Sequence, residues 1–234
     1  MQEILLQTTN LTKQFGRHRA VDQVNLHIKK GSIYGFIGRN GAGKTTCLKM
    51  ISGLSKPSSG EITLFGYTGK DLKKVRSRVG CLIEAPGLYG NMSAYENIKL
   101  KCKLFGIVKE SYIQNILELV GLKETGNKKT KQFSLGMKQR LGIGLALVGE
   151  PDLLILDELD AFPFAGNEVL QAIANQACVG QKLMLSATPD EESMRLVEEK
   201  KIELVCLFER PHKHPLIVPK VIQVSVFLQV LIVI

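Results

Sequence analysis

The sequence predicts a three-layer α/β domain, because its patterns point to a central sheet covered by helices. Strand patterns alternate with helical patterns along the chain, which is the order that builds a mostly parallel sheet with right-handed crossovers. Residues 153–156 form a continuous apolar run, as expected of a strand buried on both faces. The 234 residues, 44% of them hydrophobic and 23% charged, suit a single domain with one core.

The first third of the chain predicts strands around one helix. Alternation of apolar and polar residues predicts half-buried antiparallel strands, and a continuous apolar run predicts a buried one. A glycine after a helical pattern marks its end, as Gly53 does here. The predicted elements are strands over 4–8, 24–28, 32–37 and 61–65, a helix over 44–52 and a turn over 57–60.

Later in the chain, helix starts are marked by capping residues. Ser93 is followed three positions later by Glu96, the spacing of a capping box. Ser134 precedes a helical pattern that ends before Gly149 and Pro151. The predicted helices are 93 onward, 111–120, 134–148, 167–178 and 190–199, and the predicted strands are 153–156, 182–186 and 202–207.

The charge and the cysteine content of the sequence bear on its possible partners, disulfides and metal sites. The net charge is +9, but the first 150 residues are basic and the remainder is acidic. A basic segment can provide a face for phosphate or nucleic acid. The alternative, which we favour, is two segments of different origin, because the motifs change at the same place. Five cysteines without CxxC spacing predict free thiols in a reducing cytosol, and the four histidines form no metal-binding pattern.

Residues 221–234 form an uncharged, mostly apolar tail. Fourteen residues are too few to span a bilayer as a helix. The tail could be a buried strand, a truncated end or the product of translation past a frame change, and we assign it no function. The N-terminus does not resemble a signal peptide, so we expect a cytoplasmic protein.

The clearest chemical motif is GRNGAGKTT at residues 38–46, which matches the phosphate-binding loop GxxxxGK[ST]. Its glycines allow backbone N–H groups to point inward and hold phosphate oxygens. We expect Lys44 to reach the β- and γ-phosphates of ATP and the Thr45 hydroxyl to bind Mg²⁺. The residues predicted to bind the nucleotide here are Gly38, Asn40, Gly41, Gly43, Lys44, Thr45 and Thr46.

An acidic pair follows the apolar strand that begins at residue 153. We expect Asp157 to hold Mg²⁺ through water and Glu158 to polarise the water that attacks the γ-phosphate. Such a pair could also be an ordinary solvated strand end, but the phosphate-binding loop favours the functional interpretation. Loop and acidic strand together predict the core of a P-loop NTPase.

Residues 1 to about 158 resemble the ATP-binding subunit of ABC transporters, especially those of bacitracin and lantibiotic exporters. The resemblance rests on NLTKQFG at 10–16, the phosphate-binding loop, GLYGNMSAYEN at 87–97 and FSLGMKQRL at 133–141. It implies an antiparallel β subdomain and a helical signature subdomain beside the P-loop core. It also implies a membrane permease as partner, a nucleotide-sandwich homodimer and a position at the cytoplasmic face of the membrane; nucleic acid is not an expected partner.

The resemblance also implies roles for four further residues. Phe15 is expected to stack on the adenine ring. Glu84 takes the place of the family's common glutamine and is a candidate catalytic residue. Ser134 and Gly136 belong to the signature segment, whose helix N-terminus faces the γ-phosphate held by the opposite subunit, as suits an anion.

After Glu158 the sequence departs from this family's pattern. Leu159 stands where the family has proline, Phe164 where it has the aspartate that contacts the other subunit, and Thr188 where it has the switch histidine. If the chain is an ATPase, the resemblance therefore implies impaired turnover.

The segment from about 154 to 220 resembles instead the helicase family of bacterial DNA uptake in natural competence. The matching stretches are DELDAFPFAGN at 157–167, LSATP at 185–189 and RPHKHPLIVP at 210–219. We therefore interpret the chain as a chimera with an ABC-type domain over 1–158, a helicase-like segment over 159–220 and the apolar tail. The alternatives to a transport ATPase are a DNA-stimulated ATPase fragment and a chimeric reading frame without function.

Overall fold

A computed structural model describes residues 3–30, 33–37, 41–157, 203–206 and 229–233. The strands are β1 Ile4–Phe15, β2 His18–Lys29, β3 Ile33–Ile37, β4 Ser59–Leu64, β5 Tyr67–Thr68, β6 Val79–Leu82, β7 Leu153–Asp157, β8 Glu203–Cys206 and β9 Gln229–Val233. The helices are α1 Lys44–Ile51, α2 Leu72–Val75, α3 Ala94–Leu104, α4 Glu110–Leu119 and α5 Leu135–Leu147. Helix α1 contacts both β2 and β7, so it lies between two sheets.

The first sheet has the order β2-β1-β4-β5, and all of its neighbouring strands are antiparallel. This confirms the predicted antiparallel strands, but β1 and β2 are longer than the alternation indicated. The register of β1 shifts between Thr8 and Leu11, and Asn10 within that interval has a φ of 50°. Such a bulge interrupts the period of two while the pairing continues. The strand therefore extends beyond the point where its pattern ends.

The second sheet has the order β6-β7-β9-β3-β8. Strands β6 and β7 are parallel, as are β3 and β8, whereas β9 is antiparallel to both β7 and β3. The expectation of a mostly parallel sheet is therefore corrected to a mixed one, in which two neighbouring pairs are parallel and two are antiparallel. The apolar tail supplies the central strand, β9. Of the alternatives considered for the tail, residues 229–233 therefore form a strand. An antiparallel strand can enter a sheet without the crossover connection that a parallel neighbour requires.

The central strand sets the relation between β3 and β7. Because both are antiparallel to β9, they run in the same direction, and their C-terminal ends lie at the same edge. Gly35 of β3 and Leu156 of β7 both pair with Val230, so these two residues are level with each other. Two strand spacings separate them, about 10 Å. Open α/β sheets bind their ligands at this kind of edge.

Helices α3, α4 and α5 contact one another and form the helical layer. The predicted capping box is confirmed, since the Ser93 hydroxyl accepts from the backbone N–H of Glu96 and the Glu96 carboxylate accepts from that of Ser93. Ser134 caps α5 by accepting from the backbone N–H of Met137 at 3.3 Å. Each cap satisfies a backbone donor that the helix leaves without a partner.

Several predictions fall outside the described residues. They are the helices over 167–178 and 190–199, the strand over 182–186, and the helicase-like segment except for β8, with Leu159, Phe164 and Thr188 among the residues outside. The domain boundaries likewise remain predictions. Within the described ranges, no helix is long and apolar enough to cross a bilayer.

Candidate nucleotide-binding site

The phosphate-binding loop leads directly into helix α1. Gly41 and Gly43 have φ values of 82° and 85°, which residues with a side chain adopt only at a cost. Gly43 is the N-cap of α1, and Lys44, only 6% exposed, is its first residue. Thr45 and Thr46 follow in the first turn, where N–H groups and the helix dipole favour an anion. Gly38 and Asn40 lie outside the described residues.

The β1–β2 hairpin contacts this loop. A Cβ atom built on Gly43 would lie 2.1 Å from the Ala20 carbonyl oxygen and 3.1 Å from a methyl carbon of Val21. Phe15 pairs with His18 at the tip of the same hairpin, two residues before Ala20. The Phe15 ring is 54% exposed, and the Lys13 ammonium lies 5.1 Å from its centroid. The hairpin thus carries the exposed Phe15 side chain at its tip and contacts the phosphate-binding loop through Ala20 and Val21.

Asp157 ends strand β7 at the edge of the sheet where β3 also ends. Its side chain is buried, at 3% exposure, and β7 contacts α1, which carries Thr45. A buried carboxylate is stable only when donors or a cation offset the lost hydration. A carboxylate and a hydroxyl are the hard oxygen ligands that Mg²⁺ takes, so this donor set fits the ion. Glu158 lies beyond the described residues.

Glu84 lies just after β6, with a φ of 61°. Its carboxylate accepts a hydrogen bond from the Lys49 ammonium of α1 at 2.5 Å. The candidate catalytic residue predicted from the resemblance is therefore tied to the helix that begins with Lys44. Ser134 and Gly136 belong instead to the helical layer, at the start of α5.

The segment that follows Glu84 is held by a residue to which the sequence analysis assigned no role. Asn97 on α3 is 3% exposed. Its Oδ1 accepts from the Tyr89 backbone N–H at 2.9 Å, and its Nδ2 donates to the Ser93 carbonyl at 2.8 Å. The Thr130 hydroxyl donates to the Tyr89 carbonyl at 2.9 Å. The sequence could have indicated this role, because Asn97 takes a buried position of an amphipathic helix and a buried amide needs hydrogen-bond partners.

Cys47, Cys81 and Cys102 are free thiols, as predicted. Cys47 lies on α1, three residues after Lys44, and is buried. Burial raises the pKa of its thiol to about 12. The thiol therefore stays protonated at neutral pH and is not a nucleophile for the site.

The sequence is similar to those of known proteins. The profile of the family described as ABC transporter matches residues 21–161. The chain is 50% identical over 155 residues to the bacitracin transport ATP-binding protein BcrA of Bacillus licheniformis, an alignment that covers 66% of this chain and 51% of BcrA. It is 42% identical over 189 residues to the lantibiotic transport ATP-binding protein SrtF of Streptococcus pyogenes, an alignment that covers 78% of this chain and 80% of SrtF. The chain thus spans about half the length of the bacitracin relative.

The fold also matches solved structures. A structure of the ATP-binding subunit of an ABC transporter gives a TM-score of 0.71 at 27% identity, covering 86% of this chain and 85% of the other. CbiO1 of Clostridium perfringens, part of the transporter complex cbiONQ, gives 0.65 at 27% identity, with 80% and 79% covered. The family profile covers more than half of the chain, and SrtF is matched over most of its length. The chain therefore belongs to the ABC transporter family, among its ATP-binding proteins.

Proposed function

We propose that this protein is the ATP-binding subunit of an ABC exporter, which binds Mg-ATP and hydrolyses it slowly to drive export of a peptide antibiotic or a similar substrate through a separate permease. Members of the family bind ATP together with Mg²⁺. One observation carries the proposal: the helix that follows the phosphate-binding loop and the buried Asp157 meet at the same edge of the sheet.

Each described residue has a physical role in binding. The Lys44 ammonium neutralises the β- and γ-phosphates, and a charge-assisted hydrogen bond of this kind is among the stronger polar contacts. The backbone N–H groups at the start of α1 hold phosphate oxygens. Thr45 and Asp157 would hold Mg²⁺, whose charge offsets that of the phosphates. The Phe15 ring stacks on the adenine base.

ATP hydrolysis depends on Glu84 and on residues that follow Asp157, the last residue of β7. Glu158 orients the attacking water. Glu84 supplies a second carboxylate, which lies against α1 through its contact with Lys49. Because Phe164 and Thr188 replace the aspartate and histidine of the family pattern, one contact across the dimer and one contact to the γ-phosphate are lost. We therefore expect ATP binding with slow hydrolysis.

The partner and the location follow from the relatives. BcrA and SrtF are named as transport ATP-binding proteins for bacitracin and lantibiotics. By analogy, this chain works at the cytoplasmic face of the membrane beside a permease. Two copies would form a nucleotide sandwich, in which Ser134 and Gly136 of one copy face the γ-phosphate bound by the other.

Titration with a fluorescent ATP analogue tests the binding site. Wild-type protein and Lys70→Ala are expected to bind the analogue with equal affinity in Mg²⁺, because Lys70 lies on an exposed turn. Lys44→Ala is expected to bind far more weakly, since it lacks the charged phosphate donor. Equal binding by wild type and Lys44→Ala would show that the nucleotide is held elsewhere.

A further inference from the structure

One ion pair joins the phosphate-binding helix to the segment that carries Glu84. The Lys49 Nζ atom lies 2.5 Å from Glu84 Oε1, although the two residues are 35 positions apart in the chain. Both side chains are partly exposed, at 33% for Lys49 and 57% for Glu84. Exposed pairs contribute little to stability. The importance of this pair therefore lies in where it holds the carboxylate.

The pair lies on the magnesium-binding face of α1. Lys49 follows Thr45 by four residues, so the two side chains occupy the same face of the helix, about 6 Å apart. Thr45 is the hydroxyl that would bind Mg²⁺. The Glu84 carboxylate is thus docked one helical turn from the proposed metal ligand.

The backbone at Glu84 indicates that this position is imposed by its surroundings. A φ of 61° is uncommon for a residue other than glycine. Such a conformation persists where contacts on several sides determine it. At Glu84 itself the recorded contact is the ion pair to Lys49, and the segment that follows is held five residues later by the hydrogen bonds between Tyr89 and Asn97.

We propose that Lys49 is a positioning residue that holds Glu84 on the metal face of α1 and yields it to Mg²⁺ when the magnesium nucleotide binds. This inference rests on the proposed function. Before binding, the ammonium balances the carboxylate; in the loaded site, the divalent cation takes its place as the partner. Lys49 and Mg²⁺ therefore compete for one carboxylate.

The test is a double-mutant cycle on Mg²⁺ affinity, measured by titrating Mg²⁺ into protein with a fluorescent ATP analogue. Lys49→Met is expected to tighten the apparent Mg²⁺ affinity about three- to fivefold, the upper part of the range that an exposed ion pair contributes. In a Glu84→Gln background the same substitution is expected to have no effect. Lys49→Arg keeps the charge and is expected to behave as wild type.

The cycle separates this mechanism from a general effect of charge. An equal gain in Mg²⁺ affinity in both backgrounds would mean that Lys49 acts only through the long-range effect of its charge. No gain in either background would mean that the pair does not compete with the metal. Both results overturn the inference but leave the proposed function intact. Failure of wild type to bind the analogue overturns both.

Hydrogen exchange gives a second readout that needs no nucleotide. The segment around Glu84 is expected to exchange faster in Lys49→Met than in wild type and Lys49→Arg, because one of its two anchors is gone. Unchanged exchange in Lys49→Met would show that the pair does not hold the segment. Thermal melting of each variant verifies that it is folded.

Discussion

The Ala20 carbonyl oxygen lies where a side chain on Gly43 would have to begin, 2.1 Å from the ideal Cβ position. Gly43 also has a φ of 85°, which residues with a side chain rarely adopt. The last glycine of the phosphate-binding loop is thus required twice, once for its conformation and once for the close approach of β2. This contact fixes the hairpin that carries Phe15 against the loop that carries Lys44.

Gly43→Ala is therefore expected to displace either the hairpin or the loop, and to weaken binding of an ATP analogue by at least tenfold. Gly66→Ala is the matched control, because Gly66 has a φ of 80° but no atom within 4 Å of its ideal Cβ position. That variant should lose only the stability due to backbone strain, about 1–2 kcal/mol, and should bind normally. Equal binding by the two variants would mean that contact with Ala20 does not shape the site.

Asn97→Leu should destabilise the protein by about 1–3 kcal/mol, since it leaves the Tyr89 N–H and the Ser93 carbonyl without their side-chain partner. Denaturant unfolding measures this loss. Asn91→Ala is the control, because Asn91 lies exposed in the same segment and should change stability by less than about 0.5 kcal/mol. Similar losses for the two variants would argue against the anchoring role of the buried amide.

Acid stability should depend on Glu96. Hydrogen bonding from the Ser93 backbone N–H, and then from the Lys129 ammonium, lowers the pKa of Glu96. A carboxyl whose pKa is lowered by folding stabilises the protein above its unfolded-state pKa, and this contribution is lost as the pH falls through the folded-state value. Glu96→Gln should therefore lower the melting temperature at neutral pH and reduce its fall in acid. Glu124→Gln, on an exposed turn, should leave both unchanged.

Glu158→Gln should abolish the remaining hydrolysis and leave ATP binding intact, because the amide cannot polarise water as the carboxylate does. Wild type itself should turn over slowly, since the loss of one transition-state contact commonly lowers the rate about 10²–10³-fold. Steady-state phosphate release and analogue binding measure the two effects separately. A wild-type rate equal to that of intact family members would show that Phe164 and Thr188 do not impair the enzyme.

Single-stranded DNA should not stimulate hydrolysis. The family profile and the similar relatives are ATP-binding proteins of ABC transporters, whose names give no role with DNA. Phosphate release with and without single-stranded DNA, measured at equal ionic strength, checks this. A several-fold stimulation that Thr188→Ala removes would support the alternative of a DNA-stimulated ATPase.

The elements that the sequence predicted best are those whose ends depend on local chemistry. Ser93 and Ser134 cap the helices that follow them, and α1 begins at Lys44, where the predicted helix after the loop also begins. The continuation of β1 beyond Thr8 could not be predicted from alternation, because the bulge near Asn10 breaks the period.

Features that depend on distant partners were missed. The apolar tail was compatible with a strand, but its pattern could not reveal that β9 would lie between β3 and β7. Lys49 and Glu84 are likewise brought together only by the fold. In the site, the residue types of the loop and of β7 predicted the chemistry, whereas the support from Asn97 required the structure.

The central position of β9 has a consequence for biosynthesis. Strands β3 and β7 leave the ribosome long before residues 229–233, which alone join them in the sheet. Until then each presents an open apolar edge, which is an opportunity for aggregation. Pairing over such long sequence separations is also slow. Assembly of the nucleotide-binding edge therefore waits until every strand from β1 to β8 has been synthesised, and its yield should depend on how well the nascent chain is protected.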